Sequence, residues 1–379
     1  MSQPIVGVPR SVPAVAGATR AAVIVAGVLA VFYFGLSPGA PPSARDRWAA
    51  LQNRWDTGFY VGIASGGYRH AGTPTHFDDV AFFPAFPLVL RATALVFRVP
   101  RTPNAWAWTG ALVSCALFIL ACGFMYRVAS QQTRGDPFGA VLFCALYPFA
   151  LFFSASYTES LFLLCCLASY DYMLRSRPLP AACWGLVAGL TRPPGWLLSI
   201  VLVDALIRTA QHRRSVLPVV AALAPVAGAF LFASYLTWLT GDPFAWTAAQ
   251  AKWGRHYEGI GEIARSLSQR IGEHGFLRFA AMWPVDLMNA FAALLALGSV
   301  VPVWRRQGAS QALFVGTTIG LPLLFGGLTS LARFSSVLFP LFLWFSSTIR
   351  GTWRIVVLTA FAITQLVAAA MFYTWRPLF

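Results

Sequence analysis

The residue best placed for acid–base chemistry is Asp56, in the stretch RWDTGFYVGIASGGY that begins at Arg54. If this stretch is helical, one apolar stripe is formed by Trp55, Phe59, Gly62, Ile63 and Gly66. Such a helix is predicted to lie on a membrane surface with the stripe buried and Asp56 beside it. Partial burial makes a carboxylate more basic, so Asp56 is a candidate general base. The alternative is a first-turn residue favoured by the helix dipole.

A second carboxylate, Glu159, lies in SASYTES, the polar segment that opens the apolar run 157–174. Its position in a first helical turn allows a capping role, which competes with a catalytic one. An ionisable residue at the boundary of a membrane span is nevertheless a functional candidate by default. The residues alone leave both interpretations open.

Two arginines interrupt apolar segments. Arg192 lies in TRPPG between the runs AACWGLVAGL and WLLSIVLVDALI, and Arg333 lies in LARFSS at the start of a late span. A guanidinium that faces a cavity can bind a phosphate group through two parallel hydrogen bonds. We therefore favour a functional role for Arg192, whereas for Arg333 functional and structural roles are equally supported.

The anionic partner of Arg192 is predicted to be either Glu159 or a substrate phosphate. The helix break after Arg192 favours the phosphate, because it exposes backbone donors that can hold an anion. If Glu159 is the partner instead, Arg192→Ala is expected to damage folding by stranding a carboxylate, and Glu159→Gln to damage it less.

The chain around these residues has the composition of a membrane protein. Of its 379 residues, 58% are hydrophobic and only 11% charged, whereas a soluble domain carries about 25% charged residues. Together with a mean hydropathy of +0.64, this excludes a soluble enzyme, a nucleic-acid-binding module and a disordered scaffold. The sequence predicts an all-α polytopic membrane protein that forms one domain over 1–379.

Positive charge is concentrated in short clusters between the apolar runs. The chain has 28 Lys+Arg against 13 Asp+Glu, a formal charge of +15. The clusters are Arg175 and Arg177; Arg208, Arg213 and Arg214; Arg305 and Arg306; and Arg350 and Arg354. This pattern is typical of cytoplasmic loops, so we expect no nucleic-acid partner.

Apolar runs predict spans near 21–37, 104–126, 138–154, 157–174, 216–239, 277–303, 310–328, 335–349 and 353–374. Residues 1–20 are expected to be a cytoplasmic tail. The region 180–208 is predicted to be a pair of half-spans that enter and return on the same side, because two prolines and a glycine interrupt it. Whether 82–97, which contains FFPAFP, crosses fully or is re-entrant stays open. Counting spans places 40–81 and 240–276 outside, as two long loops.

The six cysteines all lie within apolar stretches, and none has CxxC spacing or a nearby histidine. Buried free thiols are therefore predicted, and we expect no metal site and no cofactor.

Six motifs occur in order: RWDTGFYVGIASGGY, AFFPAFP, YPFALFFSASYTESLFLL, GLVAGLTRPPGWLL, GDPFAWTAAQAKW and ARFSSVLFPLFLWF. This succession, from about Arg54 to about Phe345, resembles the PIG-V-type mannosyltransferases, a branch of the GT-C superfamily of integral-membrane glycosyltransferases. The resemblance implies a GT-C-like bundle of about 10–12 transmembrane or re-entrant helices with a structured first external loop.

The resemblance also implies roles for particular residues. Asp56 and Glu159 are expected to be catalytic, with Asp56 as the base. The expected substrate-binding residues are Arg54, Trp55, Tyr60, Tyr157, Arg192, Gln250, Trp253 and Arg333. One departure is the acidic pair Asp78 and Asp79 before FFP, where the family more often has uncharged residues.

The implied reaction is transfer of a hexose, mannose above all, from a polyprenyl-phosphate donor to a glycolipid or glycan acceptor on the non-cytoplasmic face. Asp56 would deprotonate the acceptor hydroxyl, the reaction would invert the anomeric carbon, and Arg192 or Arg333 would stabilise the leaving phosphate without a metal. Membrane lipid is the surrounding partner, and in a bacterium the location would be the plasma membrane. Two rivals are a lipid transporter or flippase, disfavoured because no internal repeat is found, and a non-catalytic subunit, which would tolerate loss of Asp56.

Overall fold

Helices form the regular structure of the described residues, with no strand among them. The computed structural model describes residues 7–44, 46–68, 79–132, 135–209, 215–251, 255, 257 and 259–377. In these ranges the α-helices are α1 Ser11–Phe34, α2 Thr57–Gly66, α3 Ala85–Val96, α4 Pro103–Ser130, α5 Pro137–Leu146, α6 Glu159–Leu174, α7 Pro178–Gly189, α8 Leu198–Thr209, α9 Leu217–Thr240, α10 Ala245–Ala251, α11 Ile260–His274, α12 Phe276–Met282, α13 Pro284–Gly298, α14 Val300–Gln307, α15 Ala309–Gly326, α16 Leu331–Ser335, α17 Phe339–Thr348 and α18 Gly351–Tyr373.

Six helical stretches in the described part of the chain are long and apolar enough to cross a membrane: α1, α4, α9, α13 continued by α14, α15 and α18. This confirms the prediction of an all-helical polytopic membrane protein. Two predicted spans are shorter than expected, because α5 ends at Leu146 and α17 has only ten residues. A third predicted span, 277–303, is displaced: the chain breaks at Trp283, and the long helix starts at Pro284, where a missing N–H is harmless.

The first helix begins at Ser11, so the expected tail 1–20 is wrong for its second half. The reason is Arg20, which is buried and donates hydrogen bonds to the carbonyl oxygens of Ala145, at 2.8 Å, and Ala150. The Ala145 carbonyl lies in the last turn of α5 and the Ala150 carbonyl follows the helix, so both lie where the helical hydrogen bonds stop. An arginine can therefore lie inside the bundle, because it satisfies acceptors that the broken helix leaves free.

The region around Arg192 forms two half-length helices, as the sequence predicts. Each of α7 and α8 has 12 residues, about 18 Å of helix against about 30 Å of bilayer hydrocarbon. A 3-10 turn at Pro193–Leu197 joins them, and Arg192 precedes the turn with an extended backbone.

Close helix packing fixes the position of this pair. A Cβ added at Gly189 of α7 would lie 2.0 Å from the Pro225 carbonyl oxygen, and one at Gly228 would lie 2.2 Å from the Leu186 carbonyl oxygen. Only glycine allows α7 and α9 to approach so closely, as is common where membrane helices pack. The α7–α9 contact therefore sets where the turn with Arg192 lies.

The helices run between two ends of the bundle, which we call the Asp56 end and the Arg305 end after a residue at each. Helix α6 carries Glu159 at the Asp56 end and finishes with Leu174 at the Arg305 end, about 22 Å away along the helix axis. Helix α3 is about 18 Å long, and the backbone N–H of its first residue, Ala85, donates to Leu190 at the end of α7. That length favours the re-entrant or interfacial alternative for 82–97.

Candidate active site

Four charged side chains from distant parts of the sequence meet at the Asp56 end. Arg333 of α16 lies at the centre: its Nη1 donates to Asp56 Oδ2 at 2.6 Å, and its Nε donates to Glu159 Oε1. Arg192 Nη1 donates to the same Glu159 oxygen at 3.2 Å. The structure therefore brings together four of the five charged site residues that the sequence indicated, and the fifth, Arg54, lies elsewhere.

Glu159 is fully buried and is the common acceptor of the two arginines. Its Oε2 accepts no hydrogen bond from any described residue. A buried carboxylate is tolerated when cations compensate its charge, and here two guanidiniums share one oxygen. The family resemblance implied a catalytic role for Glu159, but its burial and its two arginine partners favour a role in positioning Arg192 and Arg333.

Asp56 differs from Glu159 because its side chain keeps 16% of its surface exposed. It precedes α2 at the N-cap position, yet its side chain makes no capping hydrogen bond. Its carboxylate faces Arg333 instead, and its backbone N–H donates to the Tyr157 hydroxyl at 3.1 Å. Of the two interpretations drawn from the sequence, this geometry favours the functional one over helix capping.

The predicted apolar stripe of α2 is wrong. Trp55 has a positive φ of 50°, so the helix begins only at Thr57 and Trp55 lies outside it. The buried residues of α2 are Thr57, Tyr60, Val61, Ile63 and Ala64. Of the predicted stripe only Ile63 is among them. The error arises because α2 packs against α3 and α4, so protein contacts choose its buried face.

Two tyrosines complete the surroundings of Arg333, and both were predicted site residues. The Tyr60 hydroxyl accepts a hydrogen bond from Arg333 Nη2 at 3.2 Å. The Arg333 guanidinium carbon lies 4.4 Å from the centre of the Tyr157 ring, a cation–π contact. Arg333 is therefore held by two carboxylates, a hydroxyl and an aromatic face.

Arg192 is held on both sides. Glu159 accepts from one nitrogen, and the guanidinium carbon lies 5.0 Å from the Phe334 ring and 5.5 Å from the Phe162 ring. The structure thus makes Glu159 the partner of Arg192 in this conformation, whereas the sequence favoured a substrate phosphate.

A third arginine, Arg255, was missed by sequence reasoning. Its Nη2 donates to Ser330 Oγ at 3.2 Å, and its guanidinium lies 5.6 Å from the Phe334 ring that Arg192 also contacts. Burial, and then the nearby charge of Arg333, lower the pKa of Arg255 to about 10. It stays protonated at neutral pH. The only signal in the sequence is a basic residue two positions after GDPFAWTAAQAKW, in a predicted external loop.

The charges at this site do not balance. Three arginines, Arg192, Arg255 and Arg333, face two carboxylates, Asp56 and Glu159. Among the described residues no carboxylate forms an ion pair with Arg255. These five side chains together carry one net positive charge, which favours binding of an anion next to them.

Arg54 and Trp55 have structural contacts instead of facing this cluster. Arg54 is fully buried and donates from Nε to the Tyr373 carbonyl oxygen at 2.9 Å. Trp55 Nε1 donates to the Phe372 carbonyl oxygen at 3.2 Å, and its ring lies 4.8 Å from that of Trp375. Through these hydrogen bonds both residues hold the segment before Asp56 against the end of α18. We therefore interpret them as residues that position Asp56.

The other predicted residues are less informative. Gln250 lies half-buried in α10, whose Ala249 packs with Phe83 and Phe232 in an apolar cluster. Trp253 and Asp78 lie outside the described residues. The two predicted external loops thus meet through α10 and the segment that contains FFP.

The six long apolar helices define the chain as a multi-pass membrane protein. Residues 38–206 match the family model described as mannosyltransferase (PIG-V). The matched region belongs to the mannosyltransferase (PIG-V) family, which confirms the resemblance seen in the motifs. It contains Asp56, Glu159 and Arg192, whereas Arg255 and Arg333 lie beyond it.

One solved structure with a similar course of the chain is the oligosaccharyltransferase AglB from the archaeon Archaeoglobus fulgidus, in complex with an inhibitory peptide and a dolichol-phosphate. The TM-score is 0.40 at 10% sequence identity, over 94% of this chain and 55% of that chain. The chain thus spans about half the length of that protein. No curated protein matches the sequence.

Proposed function

We propose that this protein transfers a hexose, expected from the family match to be mannose, from a polyprenyl-phosphate donor to a hydroxyl group of a glycolipid or glycan acceptor. The observation that supports this most directly is one partly exposed carboxylate, Asp56, beside a cluster with a surplus of arginine charge. A base next to an anion site is what transfer from a phosphate-linked sugar requires.

The reaction follows from these groups. The Asp56 carboxylate takes the proton of the acceptor hydroxyl, whose oxygen forms the new bond to the anomeric carbon. The bond between that carbon and the phosphate oxygen breaks, and its electron pair leaves with the polyprenyl phosphate. Attack opposite the leaving group inverts the anomeric carbon.

Arg333 has two tasks in this scheme. In this structure Arg333 Nη1 forms an ion pair with Asp56 Oδ2 at 2.6 Å, so the Asp56 carboxylate is engaged. A donor phosphate competes with Asp56 for the same guanidinium, so donor binding frees the carboxylate to act as a base. Arg192 and Arg255 supply further positive charge for the leaving phosphate, and Glu159 holds Arg192 and Arg333 in place.

The non-cytoplasmic location of the site rests on the distribution of arginines. Arg208, Arg305 and Arg306 lie at the Arg305 end, and Arg354 pairs with Asp136 at the start of α5. The positive-inside rule makes that end cytoplasmic, so the Asp56 end faces the other side of the membrane.

The deciding experiment is a transfer assay in membranes that contain the protein, with a panel of radiolabelled polyprenyl-phosphate sugars. Transfer of mannose is the expected result, and transfer of a different hexose would change the sugar while retaining the enzyme class. Failure of every sugar with several glycolipid acceptors, with normal accumulation of protein, would contradict the proposal. Movement of label across the membrane without a new glycosidic bond would favour a flippase instead.

A further inference from the structure

A polar cavity lies at the Arg305 end of the bundle, about 22 Å along α6 from Glu159. Its volume is about 480 Å³, and it lies among the ends of α4, α6, α8, α14, α15 and α17. The lining side chains that matter for its chemistry are Tyr170, Arg208, Arg305, Arg306 and Gln311. None of these residues takes part in the proposed transfer reaction.

Of the three arginines that line this cavity, only Arg208 forms an ion pair with a described residue. Arg208 pairs with Asp204 at 2.8 Å. Among the described residues, Arg306 donates to the carbonyl and hydroxyl oxygens of Ser347, at 3.2 and 3.3 Å, and to no carboxylate. Arg305 forms no ion pair or hydrogen bond with any described residue. The described part of the chain thus offers no carboxylate partner to the guanidiniums of Arg305 and Arg306.

Nearby acidic side chains cannot supply the missing charge. Asp171 is already bound by Arg127, by Arg175 at 3.0 Å and by Gln131 at 2.9 Å. Asp136 is bound by Arg354. The helix C-termini around the cavity offset part of the positive charge, but two full charges from α14 still face one cavity.

Further donors are available at the same place. The Tyr170 oxygen accepts a hydrogen bond from Gln311 Nε2 at 2.9 Å, which leaves the Tyr170 O–H able to donate. Arginines placed only by the positive-inside rule would extend separately into water. Here they converge with a hydroxyl, and apolar walls are formed by Val128 and Leu174.

We infer that this cavity binds the phosphate headgroup of an anionic phospholipid from the leaflet at the Arg305 end. Arginines bind phosphate oxygens through parallel hydrogen bonds, and basic pockets between membrane helices suit such headgroups. The apolar walls favour a phosphate that carries acyl chains over free phosphate. The inference does not depend on the proposed transfer reaction, since it concerns the opposite end of the bundle.

The test uses the full-length protein in detergent, with phosphatidylglycerol as the probe and phosphatidylcholine as the zwitterionic comparison. Retained lipid is counted by native mass spectrometry. We expect phosphatidylglycerol to bind at least about tenfold more tightly than phosphatidylcholine, and Arg305→Gln with Arg306→Gln to weaken it by about tenfold or more. The matched control is Arg350→Gln, an exposed arginine that does not line the cavity.

Two results would overturn the inference: equal retention of the two lipids, or unchanged phosphatidylglycerol binding in the double variant. Displacement of the lipid by millimolar inorganic phosphate would reassign the cavity to a soluble phosphate compound. Should the double variant unfold, Arg305→Gln alone serves, because Arg305 makes no hydrogen bond or ion pair with the described residues that folding could lose.

Discussion

Glu159→Gln is expected to destabilise the protein more than Arg192→Ala, the reverse of the order that the sequence suggested. The sequence treated the two residues as an isolated pair, in which loss of the arginine strands the carboxylate. In the structure Arg333 also binds Glu159, so Arg192→Ala leaves the carboxylate compensated. Glu159→Gln instead removes the charge that two buried guanidiniums share.

The magnitudes follow from burial. Arg192→Ala removes one hydrogen bond between charged groups, which contributes about 1.5–3 kcal/mol. Glu159→Gln removes the carboxylate charge of a fully buried ion pair and leaves Arg192 and Arg333 buried without it. Removing one partner of a buried ion pair costs about 3–5 kcal/mol. The larger value applies to Glu159→Gln because the variant glutamine can accept a hydrogen bond but cannot balance either positive charge.

Thermal unfolding in detergent measures the order, with a thiol-reactive dye as the reporter. The dye reports global unfolding, because four cysteines are buried in the folded protein: Cys122, Cys144, Cys165 and Cys166. Glu262→Gln is the matched control, since Glu262 is exposed and makes no ion pair with the described residues. A lower midpoint for Arg192→Ala than for Glu159→Gln would refute the shared-carboxylate reasoning.

Three further predictions address catalysis, packing and topology. Asp56→Asn should lower the transfer rate by about 10²–10⁴-fold with little change in the unfolding midpoint. The control, Asp46→Asn in the same loop, should retain activity. Wild-type turnover by Asp56→Asn would exclude Asp56 as the base. Gly189→Ala should lower the unfolding midpoint and the yield, because the added Cβ would lie 2.0 Å from the Pro225 carbonyl oxygen. Gly298→Ala is the control, because a Cβ at Gly298 would enter open space. Equal midpoints for the two variants would contradict the close α7–α9 packing. In a cysteine-free background, single cysteines at positions 73 and 258 should react with an impermeant reagent in intact cells, and those at 177 and 306 should not; the opposite pattern inverts the proposed orientation.

The sequence alone determined which residues needed an explanation. A charged residue inside an apolar run or at its edge is a functional candidate, so Asp56, Glu159, Arg192 and Arg333 could be recognised without knowing their neighbours. The same local reasoning predicted the half-length pair α7 and α8, because two prolines and a glycine cannot continue a helix. Overall helical class followed in the same way from composition.

Only the tertiary structure decided which of these residues meet and what each one does there. The partners of Arg333 lie 277 and 174 positions away in the sequence, and no local pattern encodes a contact at that distance. Burial of Arg20 depends on carbonyls freed at the end of α5, and the contribution of Arg255 depends on a ring from α16. Hydropathy measures the preference of each residue for lipid or water, whereas hydrogen bonds and ion pairs depend on where the packed helices place the partner.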